Sequence, residues 1–183
     1  HSGFTTAAGY YASAGTVFTR STSQTNGVLT ISNKYNATNV TGVGATYTPI
    51  RELDFSNVDS LILSSNTAAR VLNGTSFTTP VGLSMTLNSS TSLSIEAGAT
   101  FIPAIGSTIN QNAGSTINNF GTFDASGSFL SSMAINGAYV SNSSATNIFP
   151  SNVTVGSTGV ISHPAGARLD LSFVNLTIDT GGK

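Results

Sequence analysis

The chain has 183 residues, of which 39% are hydrophobic and only 7% are charged, and its formal net charge at pH 7 is −1. Six basic residues scattered along the chain do not make the basic patch of a nucleic-acid-binding protein. The sequence contains no cysteine, which excludes a disulfide scaffold, and no apolar run reaches the roughly 20 residues that span a bilayer as a helix.

Hydroxyl and amide side chains supply most of the polarity. Serine and threonine together account for 54 residues and asparagine for a further 17. Polar tracts of this kind often stay disordered, but here the mean hydropathy is +0.15 and apolar residues alternate with polar ones. We therefore expect a folded chain whose surface consists of hydroxyls and amides rather than charges.

The first 80 residues predict short β-strands in an irregular arrangement. Val28–Ser32 and Val58–Leu63 are β-branched or apolar runs bounded by turn residues, which is typical of strands. Ile50–Phe55 alternates in polarity, so that Glu52 and Asp54 would share the solvent face of one strand. This part of the chain is expected to form an irregular β region or a cap.

A near-repeat marks the middle of the chain. Gly106–Asn110 reads GSTIN, and Gly114–Asn118 reads the same eight residues later. Around it, one large apolar residue recurs every six to eight positions, a period that suits one strand and one turn per step and is too short for a helical repeat. The apolar series consists of Ile95, Ile102, Ile109, Ile117, Phe123, Phe129 and Ile135.

This spacing predicts an all-β fold, a right-handed parallel β-helix (β-solenoid) with a less regular N-terminal part. If three strands make one coil, Ile95 lies under Ile117 and Ile102 under Phe123, which gives coils of about 20–22 residues. The uneven steps favour a right-handed β-helix over a strict left-handed hexapeptide helix. We expect residues 1–80 to form the irregular region or cap and residues 81–183 the solenoid coils, with Asn152–Asp179 repeating the same alternation.

Glycine and asparagine mark the corners of the predicted coils. Glycine adopts the positive φ that tight corners need; the glycines between the apolar positions are Gly98, Gly106, Gly114, Gly121 and Gly127. Stacked asparagines form hydrogen-bonded ladders along an axis, although asparagine is also simply a good turn residue. The asparagines near the predicted corners are Asn110, Asn112, Asn118 and Asn119.

Several segments resemble parts of very large bacterial extracytoplasmic repeat proteins of the adhesin-like kind. In those proteins a recurring element consists of a strand, the sequence SQT, a glycine and a second strand, and Gly15–Asn33 resembles it. Thr48–Leu63 resembles the element that follows in those proteins. Ser92–Phe123 and Gly159–Asp179 resemble their glycine-punctuated β-helix coils. The resemblance implies an extracellular or cell-surface location and a structural or adhesive role, and it carries over no catalytic residue.

The best acidic cluster for chemistry is formed by Glu52, Asp54 and Asp59. Parallel β-helices that cleave polysaccharides need carboxylates on one face, as an acid–base pair or as calcium ligands beside a basic residue. A solvated strand face explains the same three residues more simply, so they are only weak candidates for a cation site. We predict no catalytic residue and no cofactor.

The remaining polar candidates have ordinary structural explanations. We expect Asp124 to cap a corner, Asp170 to face outward beside Arg168, and His163 to lie in a turn before Pro164 without a second metal ligand.

The sequence therefore predicts a structural or adhesive segment of a cell-surface or filament-forming extracellular protein. The alternative is a carbohydrate-binding or polysaccharide-cleaving β-helix, with glycans as possible partners. Solenoid ends are exposed strand edges, so we expect something to cover them. The cover is either self-association into a filament or homo-oligomer, or flanking segments of a longer chain of which this chain is a piece. A third hypothesis is a pair of β-sandwiches. The spacing of six to eight residues argues against it in the second half of the chain, because sandwich strands usually recur every 8–12 residues or so.

Overall fold

The structure is a computed structural model that describes residues 15–22, 26–32, 47–50, 55, 57–126, 132–142, 144–166 and 169–183. These residues contain eighteen β-strands and no helix. The strands form three sheets, which we call sheets 1, 2 and 3, and the chain visits the sheets in turn to wind a solenoid of about five turns. The predicted all-β parallel β-solenoid is confirmed.

Sheet 1 has eight strands, and every pairing in it is parallel except that of β1 with β2. Sheet 2 has six strands and sheet 3 has four, all parallel. In spatial order, sheet 1 consists of β1 (Gly15–Thr19), β2 (Gly27–Ser32), β4 (Val58–Ser64), β7 (Ser84–Leu87), β10 (Thr108–Gln111), β13 (Ser132–Ile135), β16 (Asn152–Val155) and β18 (Asn175–Ile178). Sheet 2 consists of β3 (Thr48–Ile50), β5 (Ala68–Val71), β8 (Ser92–Ile95), β11 (Thr116–Asn119), β14 (Ala138–Ser141) and β17 (Val160–Ser162). Sheet 3 consists of β6 (Ser76–Thr78), β9 (Thr100–Ile102), β12 (Thr122–Asp124) and β15 (Thr146–Ile148).

The central coils are 24 residues long, which corrects the predicted length of 20–22. In sheet 1, Leu61, Met85, Ile109 and Met133 stack directly above one another at intervals of 24 residues. In sheet 2, Ile117 pairs with Leu93 and not with Ile95. The estimate failed because it matched residues that do not pair: Ile95 pairs with Asn119, and Phe123 pairs with Phe101 rather than with Ile102.

An eight-residue unit of one strand and one four-residue turn builds each side of a central coil. Residues with positive φ recur every eight positions at Asn66, Gly74, Gly82, Ser90, Gly98, Gly106 and Gly114. At six of these turns the amide that follows the positive-φ residue donates to the carbonyl three residues back, as Ser115 does to Asn112 over 3.1 Å. This is the φ pattern of type II turns, whose third position favours glycine. The GSTIN repeat is thus two successive sides of one coil.

Two predicted corner glycines follow different rules. Gly121 is outside the positive-φ group, but a Cβ there would meet the carbonyl oxygens of Glu96 and Ala99 in the coil below. Glycine is therefore required at Gly121 by close approach rather than by φ. Gly127 lies outside the described residues.

Alternate residues of each strand point into one continuous core. Its most regular feature is a row of phenylalanines in sheet 3, where Phe77, Phe101 and Phe123 stack with ring centroids 5.7 and 5.5 Å apart. Phe55 and Phe149 extend this row at its two ends. The series predicted from the sequence included Ile102, which points outward and is half-buried; its neighbour Phe101 takes the core position.

Strands on both sides of residue 80 belong to the same sheets. β4, β5 and β6 pair in register with β7, β8 and β9. The division into a region 1–80 and coils 81–183 stays a prediction, and regular coil geometry is already present from β4 onward.

Candidate functional site

The predicted acidic cluster is only partly described. Glu52 and Asp54 lie outside the described residues. Asp59 lies in β4 with its side chain exposed, and its carboxylate accepts a hydrogen bond from the Asn26 amide at 2.7 Å. Asp59 is also the one charged residue within the described strands of sheet 1. The hypothesis of a cation or acid–base site at these three carboxylates stays a prediction.

The other titratable candidates take the positions expected of them. The Asp124 carboxylate accepts from the Ser126 amide at 2.9 Å and so closes a corner. Asp170 is exposed, and its predicted neighbour Arg168 lies outside the described residues. His163 is exposed in a turn, where its Nδ1 donates to the carbonyl of Pro164 at 2.8 Å. Within the described part of the chain, no three His, Cys, Asp or Glu side chains are grouped as a metal site requires.

One charged cluster lies on sheet 2. The Arg70 guanidinium is 4.3 Å from the centre of the Tyr47 ring and 3.4 Å from the Glu96 carboxylate. The second carboxylate oxygen of Glu96 accepts a hydrogen bond from the backbone N–H of Asn73. Because these groups satisfy one another and are partly solvated, the cluster contributes little stability and leaves no group poised for chemistry.

The feature that sequence reasoning missed is a buried amide network that joins the coil of β10, β11 and β12 to the coil of β13, β14 and β15. Asn119 was predicted at a corner, but it points into the core and is fully buried. Its amide nitrogen donates to Asn147 Oδ1 at 3.0 Å, to the Thr146 carbonyl at 2.9 Å and to the Tyr139 hydroxyl at 3.3 Å. Its oxygen accepts from the Gly121 amide.

Tyr139 and Asn147 complete this network. The Tyr139 hydroxyl donates to Asn147 Oδ1 at 2.9 Å, and the Asn147 nitrogen donates to Ser141 Oγ at 2.9 Å. Burial raises the pKa of the Tyr139 phenol well above its ordinary value, against the smaller opposing effect of the hydrogen bond from Asn119. The phenol is therefore neutral at physiological pH, and the network is a packing device rather than an acid–base pair.

The alternation of side chains along a strand was the signal that could have indicated this network. Asn119 is two residues after Ile117 in the same strand, so both side chains must point to the same face of the sheet. The pairing confirms it, because Asn119 stacks directly on Ile95 of the preceding coil.

Asparagine side chains do form hydrogen-bonded ladders at the surface, which is one of the two roles that the sequence left open for them. Asn112 donates to the side-chain oxygen of Asn88 at 3.0 Å, one coil below. Asn175 and Asn152 make the same contact at 3.0 Å near the C-terminal end of sheet 1.

A shallow open depression lies at the C-terminal end of sheet 3. It has a volume of about 330 Å³ and is lined by residues 145–148 and 170–172. One wall is formed by β15 and the other by residues 170–172. This short segment joins β15 through a β-bridge between Ser172 and Ile148. The depression is open to solvent.

The two outermost strands of sheet 1 carry the most prominent exposed apolar side chains. Val17 and Phe18 belong to β1, at one edge of the sheet. Ile178 belongs to β18, at the opposite edge, and Phe173 and Val174 directly precede that strand. Among the described residues, five of the eight large hydrophobic side chains that are exposed thus lie on or beside these two strands.

No protein-family model matches the chain, and neither the curated proteins nor the solved structures contain a significant match to it. Among the described residues there is no helix long and apolar enough to cross a membrane.

Proposed function

We propose that this chain is a structural segment of an extracellular or cell-surface protein, a rigid spacer or adhesive stalk like the coils of large bacterial extracytoplasmic repeat proteins. The observation that carries the proposal is the unbroken ladder of sheet 1, in which seven parallel strands from β2 to β18 pair in sequence. At about 4.8 Å per strand, this ladder extends for about 30 Å. Each further coil lengthens such a stack without a new fold.

The surface chemistry supports the same role. The outward row Ser60, Ser84, Thr108 and Ser132 crosses four coils with hydroxyl groups alone. A catalytic groove needs converging charged or nucleophilic groups, and the described faces of the sheets carry mostly small neutral side chains. Neutral hydroxyl faces suit a stalk that hydrates well without strong electrostatic attraction to other molecules.

The test is to shorten the stalk by one coil. Removing residues 85–108 joins Ser84 to Ile109, and Ile109 then occupies the place of Met85 above Leu61. We expect this variant to fold and to be shorter by about 4.8 Å in small-angle X-ray scattering. Removing only residues 85–96, half a coil, is the matched control. It should unfold, because it removes most of β7 and β8, the partners of β4 and β5, and leaves the following coils out of register with the preceding ones.

Failure of the one-coil deletion to fold, with the strand signal lost in circular dichroism, would contradict a modular spacer. An unchanged length in the folded variant would contradict it as well.

A second candidate function, glycan binding, is favoured by the depression at residues 145–148 and 170–172. Its open shape and the polar residues Thr146, Asp170 and Ser172 in its lining suit a short sugar segment. A glycan array read with the intact chain tests this candidate. Saturable binding that Asp170→Asn and Ser172→Ala weaken would support it, and the absence of binding to any glycan would remove it.

A further inference from the structure

The outer face of sheet 1 carries two columns of small polar side chains. Six parallel strands, β4, β7, β10, β13, β16 and β18, pair in this order without a shift of register. Ten of the twelve outward side chains in the two columns end in a hydroxyl or an amide, and none is charged. The first column consists of Ser60, Ser84, Thr108, Ser132, Asn152 and Asn175, and the second of Ile62, Thr86, Asn110, Ala134, Thr154 and Thr177.

The backbone fixes the spacing of this array in two directions. Neighbouring strands lie about 4.8 Å apart, and side chains two residues apart on one strand are separated by about 6.6 Å. Water molecules in ordinary ice recur at a distance slightly below the first spacing along one axis and somewhat above the second along another. Groups on neighbouring strands therefore hold bound water close to the positions that water takes in the ice lattice.

Hydrogen bonds within the first column hold its polar groups in place. Thr108 Oγ1 donates to Ser84 Oγ at 3.3 Å, and the Asn175 side chain donates to Asn152 Oδ1 at 3.0 Å. Side chains that are fixed before binding lose less conformational entropy when a ligand arrives. The array is thus preorganised as well as regular.

The described outer faces of the other two sheets lack such an array. Sheet 2 presents Arg70 and Val140 among its outward side chains. Sheet 3 has one column of hydroxyls, but its second column contains the apolar Ile102 and Ile148 and the charged Asp124. A pair of adjacent neutral polar columns therefore distinguishes sheet 1.

A repeating face of this kind suits a repeating ligand better than a single small molecule. Sites for small molecules are concave and mostly apolar, with a few precisely placed polar groups, whereas these side chains stand side by side on one sheet. A water that bridges two polar groups is nearly as good a partner as a direct hydrogen bond. The absence of charge matches a neutral crystal, because an ionic group holds a hydration shell whose geometry differs from that of ice.

We propose that the outer face of sheet 1 binds ice through its two columns and the waters that they order. The ligand is crystalline water, and the contact consists of many weak hydrogen bonds made at once by a rigid surface. The inference goes beyond the proposed structural function and does not rest on it.

The two copies of GSTIN supply a matched pair of variants. Thr108 in the first copy lies on the outer face of sheet 1, and Thr116 in the second lies on that of sheet 2. Both are half-buried, and each begins a four-residue strand. A tyrosine at Thr108 would stand above the array and keep the neighbouring groups away from an ice surface, whereas a tyrosine at Thr116 would not.

Inhibition of ice recrystallisation measures the effect. The intact chain should slow recrystallisation and should enter a slowly growing ice crystal from solution. We expect Thr108→Tyr to raise the concentration needed for inhibition at least about tenfold and Thr116→Tyr to leave it unchanged. Equal effects of the two substitutions, or an intact chain that leaves recrystallisation unchanged and is excluded from growing ice, would overturn the proposal.

A second pair of variants changes exposed residues, so that a loss of folding does not decide the outcome. Thr154 belongs to the second column of sheet 1, and Thr146 belongs to the hydroxyl column of sheet 3; both are exposed. Thr154→Lys places a charge in the array and should weaken inhibition, whereas Thr146→Lys should not. Circular dichroism checks that both variants keep the strand signal of the native chain. Weakening by Thr146→Lys alone would place the contact on sheet 3 and overturn the assignment to sheet 1.

The ice-binding face and the spacer function fail in different ways. A chain that tolerates the one-coil deletion but leaves ice recrystallisation unchanged would overturn the ice-binding face and leave the spacer function standing. A chain that binds ice but unfolds after the one-coil deletion would overturn the modular spacer and leave the ice-binding face standing.

Discussion

The third and fourth coils solve the same packing problem with different side chains. In the third coil, the inward positions of sheets 2 and 3 hold Ile95 and Phe101, and the core is apolar. One coil further on, Asn119 takes the place above Ile95, while Phe123 still lies above Phe101. Asn147 takes the place above Phe123 in the coil after that. The amides are tolerated because nearly every polar atom is paired, since an unpaired buried polar group costs about 1–3 kcal/mol.

The shorter corners explain why the change happens where it does. The turns at Phe120–Gly121 and Asn136–Gly137 are two residues shorter than those below them, and they bring backbone groups toward the core. Asn119 bonds the Gly121 amide, and Gln111 bonds the Ser115 and Ala138 carbonyls at 3.1 and 2.7 Å. The Asn119 oxygen thus gives the Gly121 amide a partner, whereas at the regular corner one coil below the Ala99 amide donates to the Glu96 carbonyl of its own turn. One cost remains, because Gln111 Oε1 is buried without a partner.

The largest expected effect is in the apolar coil. Phe101→Ala removes the middle ring of the phenylalanine row, and we expect it to lower the free energy of unfolding by about 3–5 kcal/mol. The adjacent Ile102→Ala changes an outward side chain and should cost less than about 1 kcal/mol. Urea unfolding followed by circular dichroism measures both, and similar losses at the two positions would contradict the assignment of Phe101 to the core.

Asn119→Leu tests the amide coil. The substitution restores the apolar character of the coil below but leaves Gly121 N–H and the Thr146 carbonyl without their partner, so we expect a loss of about 2–4 kcal/mol. Asn118→Leu, one residue away on the outer face, is the control and should change stability by less than about 0.5 kcal/mol. If Asn119→Leu proved as stable as the native chain in the same denaturation measurement, the network would be dispensable.

A smaller effect is expected at the regular corners. Gly74 has a φ of +74°, and a Cβ added there would meet no atom within 4 Å, so Gly74→Ala meets only the left-handed backbone penalty of about 1–2 kcal/mol. Gly74→Asn should lose less, since asparagine tolerates this region. Thermal unfolding of the two variants separates the explanations, because equal losses would mean that space rather than φ requires glycine there.

The smallest effect at neutral pH concerns the Tyr139 hydroxyl. Tyr139→Phe removes the hydroxyl that donates to Asn147 Oδ1 and accepts from Asn119. Because Asn119 and Asn147 still bond each other, we expect a loss of about 1 kcal/mol. Since burial raises the pKa of Tyr139 in the folded state, the unfolded chain loses this proton first, and the stability that the neutral phenol contributes falls as the pH rises above about 10.

Comparison of the native chain with Tyr139→Phe isolates that titration. Tyr139→Phe should show a weaker fall in unfolding free energy above pH 10 or so than the native chain does. A native slope in Tyr139→Phe would mean that this phenol does not govern the alkaline stability.

The sequence by itself determined the class of fold, because alternation and the repeated GSTIN unit leave few other ways to bury one apolar residue per short step. The same repeat contained the eight-residue side of the coil, and hence its length of 24. The true register was hidden because residues such as Phe101 and Ile102 are adjacent and both apolar, so that sequence alone does not say which of them faces inward.

Only the tertiary structure decided which polar residues are buried and where apolar surface remains. The role of Asn119 depends on Tyr139 and Asn147, which belong to the next coil, and no local pattern announces partners that lie 20 and 28 positions away. The exposure of Phe18 and Ile178 is equally nonlocal. Each belongs to an ordinary apolar alternation, and it is exposed because its strand is the last described one at that edge of sheet 1.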